Sequence, residues 1–371
     1  MTVRSLMFIA GEASGDANAA ELIKALHARA PGVKIFGAGG PKMREAGMEL
    51  LLDLTEHAVV GLVEVLRNYG RFRRIFRQLV RETEARRPDA VVLVDFPGFN
   101  LRFAAQMKRR GIKVVYYISP QLWAWHASRA KQIERDVDLM LTIFPFEKDW
   151  YAKHAPKLHV EFVGHPLAER MRDEGGGMKR EEKLVLLLPG SREREVAKIW
   201  PIMAKVVDLM ANDVDFIAAA VNEQSAAMIN HALSVTGHPR VTVEVGKAHE
   251  LMQRAALAIT ASGTATMECA YFGCPMIVVY KVNWLTYLVG RMVVKVNWLA
   301  MPNVIAGREI VPEFIQHEAN LERIAAIARE LLENASKREA MQSELSAVVS
   351  SLGGSGASER AAGLILHRLS P

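Results

Sequence analysis

Cysteine is scarce in this chain: of 371 residues only Cys269 and Cys274 carry a thiol. A C-x4-C pair without other soft ligands is a poor zinc site, and both thiols read as small buried residues in a reducing compartment. Long hydrophobic runs are also missing. No stretch approaches the ~20 uninterrupted apolar residues of a membrane-spanning helix. Arg4 precedes only a brief apolar run that reads as a first strand, so no signal peptide is recognised and a cytoplasmic location is expected. No DxD-like pair is positioned as a metal site, so no obligatory metal and no cofactor are expected. What is present describes a globular protein, half hydrophobic and a quarter charged, and long enough to favour two domains. A net charge of +6 and a pI near 9.3 favour an anionic partner: phosphate, nucleic acid or an acidic membrane surface.

The stretch ASGTATMECA, Ala261 to Ala270, follows the apolar run Ala255 to Thr260. A strand, a Ser-Gly-Thr turn and a helix from about Ala265 would gather free backbone N–H groups and the positive end of a helix at one point. Ser262 and Thr264 supply hydroxyls, Gly263 lets a phosphate come close to the backbone, the helix end from Ser262 through Ala265 to Thr266 would face its charge, and Glu268 could accept from a ribose diol. An ordinary Ser or Thr cap with a surface Glu explains the same residues, and the motif alone leaves both readings open.

In the first half, strand Leu6 to Ala10 runs into GEASGD, Gly11 to Asp16, and then a helix to about Arg29. Strand, glycine loop and helix form a doubly wound α/β unit, but the loop lacks the dinucleotide spacing. Glu12 and Asp16 would repel a pyrophosphate, so the loop is assigned to hydroxyl recognition or catalysis, with helix capping as the alternative. Lys34 to Gly37 is another strand. Ala90 to Val94 is nearly pure strand and ends in Asp95-Phe96-Pro97-Gly98-Phe99-Asn100. A carboxylate at the carboxyl end of a central parallel strand lies where open α/β sheets bind ligands. Flanked by Phe96 and Phe99, Asp95 would be desolvated and so become a better base, unless it only caps the next helix. Trp123, Trp125 and His126 follow the strand Lys113 to Ile118. Strands Asp138 to Ile143 and Val160 to Val163 come next, and His165 reads as pocket-lining rather than catalytic.

Between Leu62 and Arg87 eight arginines stand against three glutamates. Val65, Tyr69, Phe72, Phe76 and Leu79 recur at three and four as one helical stripe, with Arg67, Arg71, Arg74, Arg77 and Arg81 opposite. Contact with an anionic membrane is expected, although a helix lying over a sheet accounts for the stripe too. Nucleic acid is not expected, because the aromatics sit away from the arginines.

Residues 173 to 183, with three consecutive glycines, read as a linker between a first domain, 1 to 172, and a second, 184 to 345, followed by a helical segment, 346 to 371. Strand Leu184 to Leu188 opens into Pro189-Gly190-Ser191-Arg192 and a helix, where Ser191 and Arg192 suit a phosphate. Strands Phe216 to Ala220, Val241 to Val245 and Met276 to Tyr280 follow. A loop near Met252 could receive a base edge through its backbone, and Asn303 could bond a phosphate. The pentapeptide KVNWL recurs at Lys281 and Lys295, within a second apolar and basic segment.

Taken in order, GEASGD, VDFPGFN, SPQLWAW, FPFE, VGHP, LLPGSRERE, ASGTATMEC and MPNVIAGREIVPE resemble the lipid-A-disaccharide synthase family across almost the whole chain. The resemblance implies two Rossmann-like doubly wound domains facing a central cleft, the GT-B plan. In that plan a C-terminal helix returns to the first domain or crosses to a partner subunit of a homodimer. It implies inverting transfer of 2,3-diacylglucosamine from its UDP derivative to the 6-hydroxyl of 2,3-diacylglucosamine 1-phosphate (lipid X), on the cytoplasmic face of the Gram-negative inner membrane. By the same resemblance Asp95 is the base, with Glu12 and Asp16 in the acceptor loop. Ser191, Arg192, Met252, Ser262 to Thr266, Glu268 and Asn303 would hold UDP, and Val63, Val65, Leu66, Tyr69, Phe72, Arg73 and Phe76 would face the membrane. Many relatives carry a second Asp where this chain has Gly98. Two rival expectations are a UDP-N-acetylglucosamine 2-epimerase and a non-enzymatic anionic-lipid or RNA binder.

Overall fold

The structure is a computed structural model and describes residues 3–55, 69–171, 178–236, 240–281, 296–316 and 320–370. Val63, Val65 and Leu66, most of the second apolar and basic segment, and the first five residues of the expected linker, 173–177, lie outside these residues. The chain divides into two compact units, residues 1–169 with 352–371, and residues 170–351.

In the first unit strands and helices alternate: β1 (Ser5–Ala10), α1 (Ala13–Arg29), β2 (Lys34–Gly39), α2 (Pro41–Glu45), β3 (Glu49–Asp53), α3 (Tyr69–Arg86), β4 (Ala90–Val94), α4 (Pro97–Arg109), β5 (Lys113–Tyr117), α5 (Ala130–Asp136), β6 (Leu139–Thr142), α6 (Pro145–His154), β7 (Val160–Phe162) and α7 (Leu167–Arg170). All seven strands are parallel, in the order β3-β2-β1-β4-β5-β6-β7. Strands covered on both faces must be apolar throughout rather than alternating, and β4, read AVVLV, is buried at every position. The order reverses between β1 and β4, so the loops after these two strands leave in opposite directions and open a crevice.

The second unit repeats the plan with β8 (Glu181–Leu188), α8 (Glu193–Leu209), β9 (Asp215–Ala220), α9 (Glu223–Thr236), β10 (Val241–Val245), α10 (Ala248–Arg254), β11 (Ala255–Ala261), α11 (Thr264–Tyr271), β12 (Met276–Tyr280), α12 (Met301–Ala306), β13 (Glu313–Ile315), α13 (Leu321–Glu333) and α14 (Ala335–Ser351). Its six parallel strands run β10-β9-β8-β11-β12-β13, with the reversal between β8 and β11. Strand β8 begins at Glu181, three residues before the expected start at Leu184 and inside the expected linker. The last helix, α15 (Ala357–Leu369), belongs to the first unit. There the Ser358 amide and hydroxyl donate to Glu169 at 2.9 and 2.6 Å, and Arg360 Nε donates to the Val163 carbonyl at 2.8 Å.

Helix α3 corrects one expectation. Its apolar stripe is turned to the sheet: Ile75 and Leu79 are buried, and Phe72 and Phe76 pack against the same core. The Phe76 ring meets Phe99 and Phe103 edge-on at 5.2 and 5.6 Å. Phe76, half-buried, therefore packs against the core, and a three-and-four stripe reports a buried face without saying what buries it. Arg71, Arg73, Arg74, Arg77 and Arg81 remain exposed. No helix among the described residues is long and apolar enough to cross a membrane. Phe76→Ala is expected to cost about 2–3 kcal/mol of unfolding free energy, read from a urea midpoint; a lipid-facing ring would leave that midpoint in place.

Candidate active site

The loops after β1 and β4 bring Glu12 and Asp95 together at the reversal of the first sheet. Two consecutive residues there, Asp95 (φ 45) and Phe96 (φ 49), take left-handed backbone that side chains other than glycine adopt at a cost. The turn swings the Phe96 ring onto Gly11, where a Cβ would meet ring carbons at 2.3 Å, so only glycine fits beneath it. Phe96 in turn stacks on Phe99 with centroids 5.7 Å apart. This packing takes Asp95 partly out of water, and the carboxyl is pushed up to about 6, first by burial and then by the charge of Glu12. Its main chain is held on both sides. The Asp95 amide donates to the Tyr117 carbonyl at 3.0 Å, while the Asp95 carbonyl accepts from Tyr116 Oη at 2.7 Å and Asn100 Nδ2 at 2.8 Å. Neither Tyr116 nor Asn100 was singled out from the sequence, although Asn100 closes the segment that was.

Asp16 does not join this pair. It is 3 % exposed, its Oδ1 accepts from the Gly40 and Met43 amides at 2.9 and 3.1 Å, and its Oδ2 accepts from the Lys42 amide at 3.1 Å. A carboxylate spent on three amides caps α2 from a distance and has no place in proton transfer, so its expected catalytic assignment is corrected to a structural one. Further along the same sheet edge Glu147 is buried, accepts from the Ile143 and Phe144 amides and from Trp123 Nε1, and is pushed up to about 7 by burial. Trp123 thus anchors this buried carboxyl, Trp125 and His126 are exposed, and His165 packs against Phe144 at 5.3 Å.

In the second unit the corresponding reversal carries a different chemistry. Helix α11 begins at Thr264, after an extended Gly263; the Thr266 amide donates to the Gly263 carbonyl at 3.1 Å, while those of Thr264 and Ala265 have no earlier carbonyl to bond within the helix. Thr264 is exposed and Ala265 half-buried, while Thr266 Oγ1 donates to the Gly263 carbonyl at 2.8 Å and Ser262 Oγ to the Leu299 carbonyl at 3.3 Å. One turn on, Glu268 is half-buried with an oxygen 3.7 Å from His249 Nε2. The turn after β8 presents Ser191 and an exposed Arg192. The Glu195 carboxylate accepts from both of their amides, and Arg192 Nη1 lies 3.1 Å from it. These two turns follow neighbouring strands, and the first offers the Arg192 guanidinium and the second the Thr264 and Ala265 amides to an anion.

Two residues expected here are corrected. Asn303 is wholly buried: its Nδ2 donates to the Val311 carbonyl and Glu313 Oε1, and its Oδ1 accepts from the Ile310 and Val311 amides. With both donors and both acceptor positions used it holds its loop and has nothing left for a phosphate. Met252 is in α10 rather than in a loop, is buried, and its carbonyl accepts from Arg180 Nη1 at 2.9 Å. Cys269 and Cys274 are both buried and free.

Two Rossmann-like units, one with a partly desolvated carboxylate at its strand ends and one with a helix end facing outward from its sheet, have the architecture of the GT-B class. Residues 6–365 match the family model described as lipid-A-disaccharide synthetase. The lipid-A-disaccharide synthase of Geobacter sulfurreducens is 40% identical over 99% of this chain and 98% of its own length. The chain belongs to the lipid-A-disaccharide synthase family. Among solved structures it resembles the glycosyltransferase of kitacinnamycin, with a TM-score of 0.68, 18% identity and full coverage of both chains. It also resembles a putative UDP-N-acetylglucosamine 2-epimerase from Listeria monocytogenes, with a TM-score of 0.66, 14% identity, and 99% and 95% coverage. Both likenesses are of fold alone, so the epimerase expectation has no support beyond architecture.

Asp95 also sets a cost on folding. Because its folded pKa of about 6 lies above the ordinary 3.8, its protonated form is the one the fold favours. Its contribution is complete below the ordinary value and is lost as pH rises through 6, a penalty on the order of 2–3 kcal/mol at pH 8. Asp95→Asn is therefore expected to be more stable than the parent at pH 8 in thermal unfolding, with the advantage shrinking to nothing by pH 4. Equal advantage at both pH values would contradict the desolvation described.

Proposed function

We propose that this enzyme transfers 2,3-diacylglucosamine from UDP-2,3-diacylglucosamine to the 6-hydroxyl of 2,3-diacylglucosamine 1-phosphate, releasing UDP. The observation that carries the reading is Asp95. A primary hydroxyl is a poor nucleophile and needs its proton removed as the bond forms. A carboxylate raised to about 6 is a stronger base than an exposed one, yet is ionised at neutral pH. Glu12, beside it, adds the repulsion that helps raise Asp95. UDP leaves with its charge already spread, so it calls for charge compensation more than for a proton. The first-turn amides of α11 at Thr264 and Ala265, the exposed Thr264 hydroxyl and the Arg192 guanidinium supply that compensation, with Gly263 leaving room beside them and Ser191, Ser262 and Thr266 holding the two turns. Glu268 is assigned to the ribose hydroxyls. A single base acting in one displacement inverts the anomeric centre. The exposed arginines of α3 offer a basic face to an acidic bilayer, as a peripheral enzyme acting on lipid substrates at the inner face of the inner membrane would need.

Incubation of the purified protein with UDP-diacylglucosamine and the lipid acceptor is expected to give a disaccharide 1-phosphate and UDP. Formation of the manno epimer from soluble UDP-N-acetylglucosamine, without disaccharide, would defeat the assignment. Asp95→Asn is expected to lower kcat by about 10²- to 10⁴-fold. In the parent, kcat/KM should rise with pH through about 6, because the base works only when unprotonated. Glu12→Gln should move that limb to lower pH by removing a neighbouring negative charge. A Glu12→Gln loss as deep as that of Asp95→Asn, with the limb unmoved, would transfer the role of base to Glu12.

A further inference from the structure

We infer that Tyr116 and Asn100 are positioning residues that aim the Asp95 carboxylate by clamping its own main-chain carbonyl from two sides in the left-handed turn. The inference rests on the assignment of Asp95 as base and deepens it. A carbonyl oxygen has two lone pairs, and here both are taken by side chains from different elements. Tyr116 Oη reaches across from β5 at 2.7 Å, and Asn100 Nδ2 comes from the first turn of α4 at 2.8 Å. Tyr116 is fully buried, so its hydroxyl must find a partner, and the carbonyl of residue 95 is the one it has.

The Asn100 amide shows that this orientation is imposed. Its Nδ2 faces three carbonyls: Asp95 at 2.8 Å, Val94 at 3.2 Å and Ile9 at 3.4 Å. Its Oδ1 is left buried with no partner among the described residues. Flipping the amide would set an oxygen against three oxygens, so the unpaired Oδ1 is the lesser penalty. Asn100 thus ties the ends of β1 and β4 to the first residue beyond them, at the reversal of the sheet.

Without the clamp the positive φ at Asp95 and Phe96 keeps only the Asp95 amide bond to Tyr117 and the packing of the Phe96 ring against Gly11 and Phe99, and the pair is expected to relax toward ordinary backbone. Relaxation would lift the Phe96 ring from Gly11 and turn the carboxylate toward water. The titratable groups facing that carboxylate are Glu12, from the loop after β1, and the Tyr116 phenol, from β5. Loss of the clamp therefore has a signature that simple loss of stability lacks.

The test is Tyr116→Phe, which removes one hydroxyl and keeps the ring. Aspartate is labelled with 13C at the carboxyl, and the Asp95 resonance is identified by its disappearance in Asp95→Asn. In the parent it should titrate near 6, and in Tyr116→Phe its midpoint should fall toward 3.8. In the transfer assay kcat should drop about 10- to 100-fold, the cost of a small misplacement of a reacting group, with KM for the UDP-sugar unchanged. A midpoint that stays at the parent value in a folded Tyr116→Phe protein overturns the inference. Asn100→Ser, whose shorter hydroxyl does not reach the Asp95 carbonyl, reads the same shift from the other arm if Tyr116→Phe does not fold. The titration needs no substrate, so absence of disaccharide synthesis by the parent would sink the functional assignment while leaving the clamp to be judged on the midpoint.

Discussion

A carboxylate stays partly out of water at the end of β4 only because the chain there turns left-handed for two residues, and much of the first unit serves that turn. Gly11 makes room for the Phe96 ring. Phe96, Phe99 and Phe103 run down α4 as a stack, with Phe76 of α3 set edge-on against it. The aromatic helix that looks suited to a lipid surface is the back wall of this packing. Burial raises Asp95 and destabilises the fold above pH 6, a trade between stability and reactivity that places strain where the chemistry needs it.

The two units divide the electrostatic work. Parallel sheets gather their functional loops at the carboxyl ends of the strands, and each sheet here has one reversal in strand order. At the first reversal the side chains are acidic, Glu12 and Asp95, an environment that repels a diphosphate and suits proton removal. At the second, Arg192 and the first turn of α11 offer positive charge and N–H groups, although Glu195 holds the Ser191–Arg192 turn and Glu268 stands one turn into the helix.

Most strands were legible in the sequence because fully covered parallel strands are unbroken apolar runs; β4, β10 and β12 have the expected ends. The two missed strands lack that signature. Strand β3, ELLLD, sits at a sheet edge with four of its five residues half-buried, and β13, EFI, is three residues long. The position of a residue was legible where it stands at a strand end, as with Asp95 and Thr264. It was not legible where a side chain's partners come from another loop: the amides that use up Asp16 lie 24 to 27 residues away. Asn303 is likewise consumed by Ile310, Val311 and Glu313, and the sequence marks only its polarity. Amphipathic spacing in α3 showed one apolar face but not whether sheet or lipid covers it.

If one partly desolvated carboxylate does the chemistry, only one displacement occurs at the anomeric carbon. The anomeric configuration of the disaccharide, read from its proton coupling by NMR and compared with that of the UDP-sugar supplied, tests this most directly. Inversion is the outcome the single base predicts; retention would require a covalent intermediate or a second displacement and would contradict it.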